Sequence, residues 1–250
     1  MSDISGKTLI LVGASGGIGR ALALALADEE VALVLNARTH AAVEKVADEC
    51  SRSGARVDFL AGSAARGEVA EGLVKRALNL GNFYGFIQAA GTLHPGPAVF
   101  DLSEKEFSEI FEASVTASFQ LARAAFPPLI EAGAGIAVFL GSGVAERVVR
   151  GMGAYSAAKA AEEHLVRHLA ADAPQITSLV FRPGVVDTPM VQSAINARGR
   201  AAKGLREQFS IYQRNGEILA PGVPARALVS ILKNDPGRFH GKIATWRDGV

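Results

Sequence analysis

Apolar residues in this chain come in bursts of five or six, separated by longer stretches in which they recur at helical spacing. The bursts are TLILV (8–12), VALVL (31–35), VDFLA (57–61), FYGFIQ (83–88), GIAVFL (135–140), ITSLVF (176–181) and KIATW (242–246). They are nearly unbroken rather than alternating, which predicts strands buried on both faces. Between them, 18–28, 40–53, 66–79, 103–132 and 154–172 read as helices. Strand and helix alternate from end to end. That order predicts an α/β fold, a doubly wound parallel sheet with helices on both faces and right-handed crossovers. No repeat, low-complexity tract or linker divides the chain, so one domain is expected over 1–250.

Two stretches depart from the rhythm. Pro127 and Pro128 fall inside 103–132, where they are expected to kink or end the helix. The segment 188–222 is polar, holds no strand-like burst and is longer than an ordinary connection. Excursions of that length in compact domains are often lids or binding loops, so a substrate cover is expected there.

Composition narrows the picture only where it excludes. With 26 basic and 25 acidic side chains the net charge is +1, which gives no general field for nucleic acid or an anionic membrane. Cys50 has no second cysteine to pair with, and nothing suggests an oxidising compartment. The start, MSDISGKTLILVG, lacks the basic region and cleavage site of a signal peptide. No apolar run reaches membrane-spanning length. A soluble, cytoplasmic protein is expected.

The candidate chemistry begins after the first strand, in GASGGIG (13–19). Gly13 permits a tight turn, Gly16 or Gly17 lets a pyrophosphate approach the backbone, and Gly19 allows close helix–strand packing. The spacing fits G-x-x-x-G-x-G through Gly13, Gly17 and Gly19, and also G-x-x-G-x-x-G through Gly13, Gly16 and Gly19. The helix that follows offers free N–H groups to an anion, Ile18 among them. At the end of the second strand, LNART (35–39) lacks the carboxylate that would bind a ribose 2′-hydroxyl. Arg38 suits a 2′-phosphate instead, with hydroxyl contacts from Ser15 and Thr39. NADPH (NADP+) is therefore favoured over NADH.

The stretch GMGAYSAAKAAEEH (151–164) places Tyr155 and Lys159 four residues apart, on one helix face. Taken alone the pair reads as a half-buried tyrosine beside a solvated lysine. Ser142, in LGSG at the end of the fifth strand, changes that. Ligands of open α/β sheets bind beyond the strands' carboxyl ends, where Ser142, Tyr155 and the glycine turn converge. Reduction of a ketone needs a hydride on carbon and a proton on oxygen. Tyr155 is the expected general acid/base, Lys159 would lower its pKa, and Ser142 would hold the carbonyl oxygen.

In that order and spacing, GASGGIG, the AAG at 89–91, Ser142, YSAAK (155–159), PGVVDTP (183–189) and GKIATWRDG (241–249) resemble the short-chain dehydrogenases/reductases of single-domain type. The likeness covers essentially the whole chain. GMGAYSAAKAA and RPGVVDTPM look most like the branch of sepiapterin reductase and benzil reductase. The resemblance implies a Rossmann-type sheet of seven parallel strands. It also implies that Lys159 binds the nicotinamide ribose, that Val186 and Thr188 lie near the carboxamide, and that Ala90 and Gly91 border the cofactor. Subunit contacts through 103–132 and the Tyr/Lys helix are implied too, giving a homodimer or homotetramer.

The chain departs from the family pattern in three places. Ser114 stands where a catalytic asparagine is expected to hold a water for proton relay. Gln88 opens QAAG where Asn-Asn-Ala-Gly is usual. Gly62-Ser63 replaces an aspartate that touches adenine, leaving Ser63 as the adenine-side candidate.

Among other residues, His164 and His168 share a helix face, but no third ligand is evident and no metal is expected. His94, Arg147 and Arg150 read as loop or surface residues near the substrate side. The leading function is an NADPH-dependent reductase of a small ketone or diketone carbonyl. The alternative is an NADP(H)-binding regulatory protein with vestigial catalysis. A nucleotide-sugar epimerase is disfavoured by length.

Overall fold

All seven bursts form strands in the computed structural model, which describes residues 4–250. Met1, Ser2 and Asp3, the start of the stretch read as lacking a signal peptide, lie outside the described residues. The strands are β1 (Thr8–Val12), β2 (Ala32–Ala37), β3 (Val57–Ala61), β4 (Phe83–Gln88), β5 (Gly135–Leu140), β6 (Ile176–Arg182) and β7 (Ile243–Thr245). They pair in the order β3-β2-β1-β4-β5-β6-β7, every pair parallel. This is the doubly wound Rossmann-type sheet. Its order reverses between β1 and β4, and the crevice beyond their carboxyl ends is where such sheets bind ligands.

The inner strands bury both faces because their side chains alternate between two apolar layers, whereas the edge strands β3 and β7 are only partly buried. Leu9 and Leu11 of β1 join Leu33 and Leu35 in one core. Helices α1 (Gly17–Ala27) and α2 (His40–Arg52) cover it. Ile10 and Val12 point the other way, into a core with Phe86 and Phe139. Helices α3 (Gly67–Leu80), α5 (Ala117–Glu131) and α6 (Gly153–Asp172) cover that side. Phe86 and Phe139 meet edge-on with ring centroids 5.3 Å apart. Each such fully buried side chain contributes about 1.5–3 kcal/mol relative to exposure.

The expected helix over 103–132 is two helices, and the break is not at the prolines. α4 (Glu104–Phe111) is started by a capping box between Ser103 and Glu106. One π-helical turn, Glu112–Thr116, then leads directly into α5. Pro127 and Pro128 lie within α5, which runs on to Glu131. Each proline withholds an N–H from the carbonyl four residues back, on Arg123 or Ala124. Arg123 is exposed and Ala124 only partly buried, so neither residue lies deep in the core.

The 188–222 excursion holds two further helices, α7 (Pro189–Ile195) and α8 (Ala202–Arg214). Its two ends are tied together: Asp187 N–H donates to Leu219 O at 2.9 Å, and Leu219 N–H donates to Val185 O at 2.8 Å. α9 (Gly222–Asn234) lies outside the helices expected from the pattern; it packs Leu228, Ile231 and Leu232 into the first core. No helix among the described residues is long and apolar enough to cross a membrane.

Candidate active site

The glycine turn resolves the open spacing. A Cβ on Gly13 (φ 83°) would stand 2.7 Å from Ala90 N, one on Gly17 2.5 Å from Thr188 Cγ2, and one on Gly19 2.0 Å from Gly13 O. A Cβ on Gly16 would meet nothing nearer than 3.8 Å. The turn is therefore closed by Gly13, Gly17 and Gly19. Gly19→Ala is expected to destabilise the fold by about 1–3 kcal/mol, as overpacking does. Gly16→Ala should leave the thermal midpoint in place, and the two melting curves together check the assignment.

Asn36, buried at the end of β2, fixes this turn. Its carbonyl accepts the N–H groups of Gly13 and Ala14, at 3.0 and 2.9 Å. Its side-chain amide donates to Leu60 O and Gly62 O. The N–H groups of Gly17 and Ile18 open α1 and have no carbonyl within the helix to bind. No side chain caps them. A phosphate fits there, at the positive end of an 11-residue helix. Ser15, Arg38 and Thr39 are exposed around the same rim, and Arg38 has no ion-pair or hydrogen-bond partner among the described residues. Ser63 is partly buried after β3, where its hydroxyl accepts the N–H of Ala65 at 3.4 Å.

Tyr155 and Lys159 rise from the first half of α6 and both are buried. Lys159 Nζ lies 5.9 Å from the centre of the Tyr155 ring. It donates to Leu140 O at 2.7 Å and to Glu162 Oε2 at 2.6 Å. An ammonium has three N–H groups, so one remains. A Cβ on Gly91 would stand 4.0 Å from Nζ, which places the ammonium against the AAG loop. Ser142 follows β5, and its hydroxyl lowers the pKa of Tyr155 through a hydrogen bond.

At Tyr155 the expected influence of Lys159 is present, but it is not the largest. Burial is the largest influence and raises its pKa above the usual phenol value; Lys159 pulls it down, and Glu162 pushes it back up. The net direction is upward. At Lys159, burial disfavours the charged form, but Glu162 and then Tyr155 outweigh it and the pKa is raised. The pair therefore rests as neutral phenol and ammonium.

Two glutamates that look like helix filler in the sequence hold the site. Glu162 is fully buried and accepts from Lys159 and, at 2.6 Å, from the Ser118 hydroxyl on α5. Glu163 is also buried; it accepts the N–H of Ser142 at 3.2 Å and two bonds from Arg182 at 3.0 and 2.6 Å. Arg182 is in turn held by Glu146. Gln88, the departure in QAAG, is buried as well. It donates to Ala113 O, a carbonyl of the π turn, at 3.0 Å and accepts the N–H of Ala90 at 3.2 Å. It thus ties the loop at 89–91 to the turn that carries Ser114. Ser114 is buried there, with its hydroxyl oxygen unpartnered by any described residue.

A cleft of about 280 Å³ opens over Ser142 and Tyr155. Leu93, Val149, Met152, Met190, Phe209 and Tyr212 give it an apolar lining, the last two from α8. Ile18, Val186 and Thr188 line it too, so the glycine turn and the loop after β6 share one cavity with the tyrosine. Arg147 reaches the rim, whereas His94 is held outside by Glu109 at 2.9 Å. His164 and His168 stack edge-on at the surface, and no group of three metal-ligating side chains occurs among the described residues.

A Rossmann-type sheet with a glycine turn at its switch point and a buried tyrosine–lysine pair beside it defines a dinucleotide-dependent oxidoreductase site. Residues 7–199 match the family described as short chain dehydrogenase. An uncharacterised oxidoreductase of Schizosaccharomyces pombe is 29% identical over the whole of both chains. A benzil reductase ((S)-benzoin forming) of Saccharomyces cerevisiae is 26% identical, covering 97% of each. Among solved structures, an alcohol dehydrogenase of Thermococcus sibiricus complexed with 5-hydroxy-NADP superposes with a TM-score of 0.80 at 28% identity, covering 96% of this chain and 95% of that one. The chain belongs to the short-chain dehydrogenase family. It is an oxidoreductase whose family uses NAD(P)(H).

Proposed function

We propose that the protein is an NADPH-dependent reductase of a small, largely apolar ketone or diketone. The observation that carries this reading is the proton-bearing Tyr155, next to Lys159 and Ser142, at the floor of an apolar cleft that the phosphate turn also lines. Bound NADPH supplies the hydride. Gly17 and Ile18 N–H groups would hold its pyrophosphate, and Arg38 its 2′-phosphate. Val186 and Thr188 would border the nicotinamide.

The chain's own residues handle the proton and the oxygen. Ser142 orients the substrate carbonyl toward the phenol and stabilises the charge that grows on its oxygen. Tyr155 gives its proton to that oxygen, and the remaining N–H of Lys159 steadies the phenolate left behind. Glu163 fixes the backbone of Ser142, so the hydroxyl keeps its place. Phe209 and Tyr212, from the excursion, shield the cleft from water and cover the substrate. The benzil reductase relative supports a diketone among the substrates.

The test is NADPH oxidation, followed at 340 nm, over diketones, pterin ketones, quinones and simple aldehydes, repeated with NADH. Turnover that prefers NADPH is expected. In Arg38→Ala, loss of one charge-assisted contact, about 1.5–3 kcal/mol, corresponds to about a 10- to 100-fold rise in KM for NADPH. KM for NADH should stay where it was. Tight NADPH binding with no turnover across the panel would replace this reading with that of a regulatory, cofactor-binding protein.

A further inference from the structure

Catalysis by Tyr155, Lys159 and Ser142 does not call for Glu162, yet a carboxylate with no exposed surface stands one hydrogen bond from the catalytic lysine. Burying a carboxylate is costly unless it is paired and hydrogen-bonded. Here both oxygens are used: Oε2 by Lys159 Nζ at 2.6 Å, Oε1 by the Ser118 hydroxyl at 2.6 Å. Ser118, itself fully buried, comes from α5, just beyond the π turn that holds Ser114. The result is a buried chain of groups, Tyr155–Lys159–Glu162–Ser118, that crosses from α6 to α5.

We propose that Glu162 is a positioning residue of the catalytic group: anchored by Ser118, it fixes the Lys159 ammonium and balances its charge, so that Tyr155 keeps its proton for delivery to the carbonyl. The inference rests on the reading of Tyr155 as proton donor. The surrounding charges leave this role to Glu162. On α6, Glu163 is the next acid, but it is engaged with Arg182 of β6 and with Ser142 N–H. Arg182 is neutralised by Glu163 and Glu146. Glu112, in the π turn, is exposed. Lys159 therefore has one carboxylate of its own, and its positive charge is largely spent on it before it reaches the phenol.

The sign follows from charge alone. With Glu162 ionised, the trio of phenol, ammonium and carboxylate is neutral, and loss of the phenol proton makes it an anion. In Glu162→Gln the amide oxygen still accepts from Lys159, but the trio starts as a cation and loses that proton more readily. Ser118→Ala keeps both charges and removes only the O–H that stabilises the carboxylate. That change makes the trio hold its proton slightly harder, the opposite direction.

The experiment is an absorbance titration of phenolate at 295 nm on the intact, folded enzyme, with Tyr155→Phe subtracted to isolate Tyr155. It needs neither substrate nor turnover, so it stands apart from the test of the reductase reading. In the native enzyme the Tyr155 phenolate is expected only above the ordinary phenol pKa of 10.0. In Glu162→Gln it should appear at least about one pH unit lower than in the native enzyme. Ser118→Ala should move it slightly higher, and Glu162→Asp, which restores the charge, should return it towards the native position. A titration in Glu162→Gln that overlays the native one, or moves upward, overturns the proposal. Should Glu162→Gln fail to fold, an unmoved or lowered titration in Ser118→Ala overturns it equally. Absence of turnover with every carbonyl would instead remove the reductase reading while leaving this titration to decide the charge balance.

Discussion

Tyr155→Phe is expected to lower kcat for carbonyl reduction by about 10²–10⁴-fold, the range supplied by a positioned general acid. The change removes one oxygen from a buried ring and creates no cavity. Cofactor affinity should stay within a few-fold of native, because the glycine turn and Arg38 are untouched. The measurement is paired: steady-state reduction, and fluorescence titration with NADPH. Loss of both would point to collapse of the site rather than loss of the proton. Retention of full activity would assign the proton to another donor, and none lines the cleft as well placed beside Ser142.

Lys159→Met should have the largest effect on stability. The substitution preserves length and volume but leaves Glu162 as an uncompensated buried charge, a change that typically costs about 3–5 kcal/mol. Leu140 O loses its donor as well. Urea unfolding measures the loss, and adding Glu162→Gln to Lys159→Met separates its cause from poor packing: with the orphaned carboxylate gone, most of the deficit should be recovered. A deficit that Glu162→Gln leaves unchanged would mean that Glu162 is not the source. Activity should fall with it, since the phenolate loses its nearest cation.

The framework was open to reading because the physics that builds it is local. A strand inside a covered parallel sheet must be an apolar burst, and each of the seven bursts forms one strand. GASGGIG was legible for a similar reason, as glycines are placed by contacts a Cβ would break. Its two possible spacings could be separated only by Thr188, which comes from far along the chain and crowds Gly17 but not Gly16. Tyr155, Lys159 and Ser142 were visible through their spacing and strand ends.

Glu162 and Glu163 were not. On a helix full of alanines, a glutamate pair has the pattern of a solvated face, and only tertiary packing shows that both point inward. A signal did exist: Glu162 is three residues from Lys159, on the same side of the helix. Lys159 does pull the Tyr155 pKa down, as its spacing suggests; what the spacing cannot show is the burial that outweighs it, with Glu162 pushing the same way. The π turn was hidden as well: the side chain that takes up its Ala113 carbonyl, Gln88, lies 25 residues away.

The tie between Val185, Asp187 and Leu219 bears on how such a protein diversifies. The chain leaves the sheet edge and returns to it at one hydrogen-bonded knot, and its other ties, such as Ala201 N–H to Gly96 O at 2.9 Å, run to loops rather than strands, so changes of length between need not move a strand. Doubling a loop adds only about 0.6 kcal/mol of closure cost. On the reductase reading, the segment that walls the cleft is the part open to rewriting for a new substrate, within the limit set by Leu205 and Phe209, which pack in one core with Tyr155.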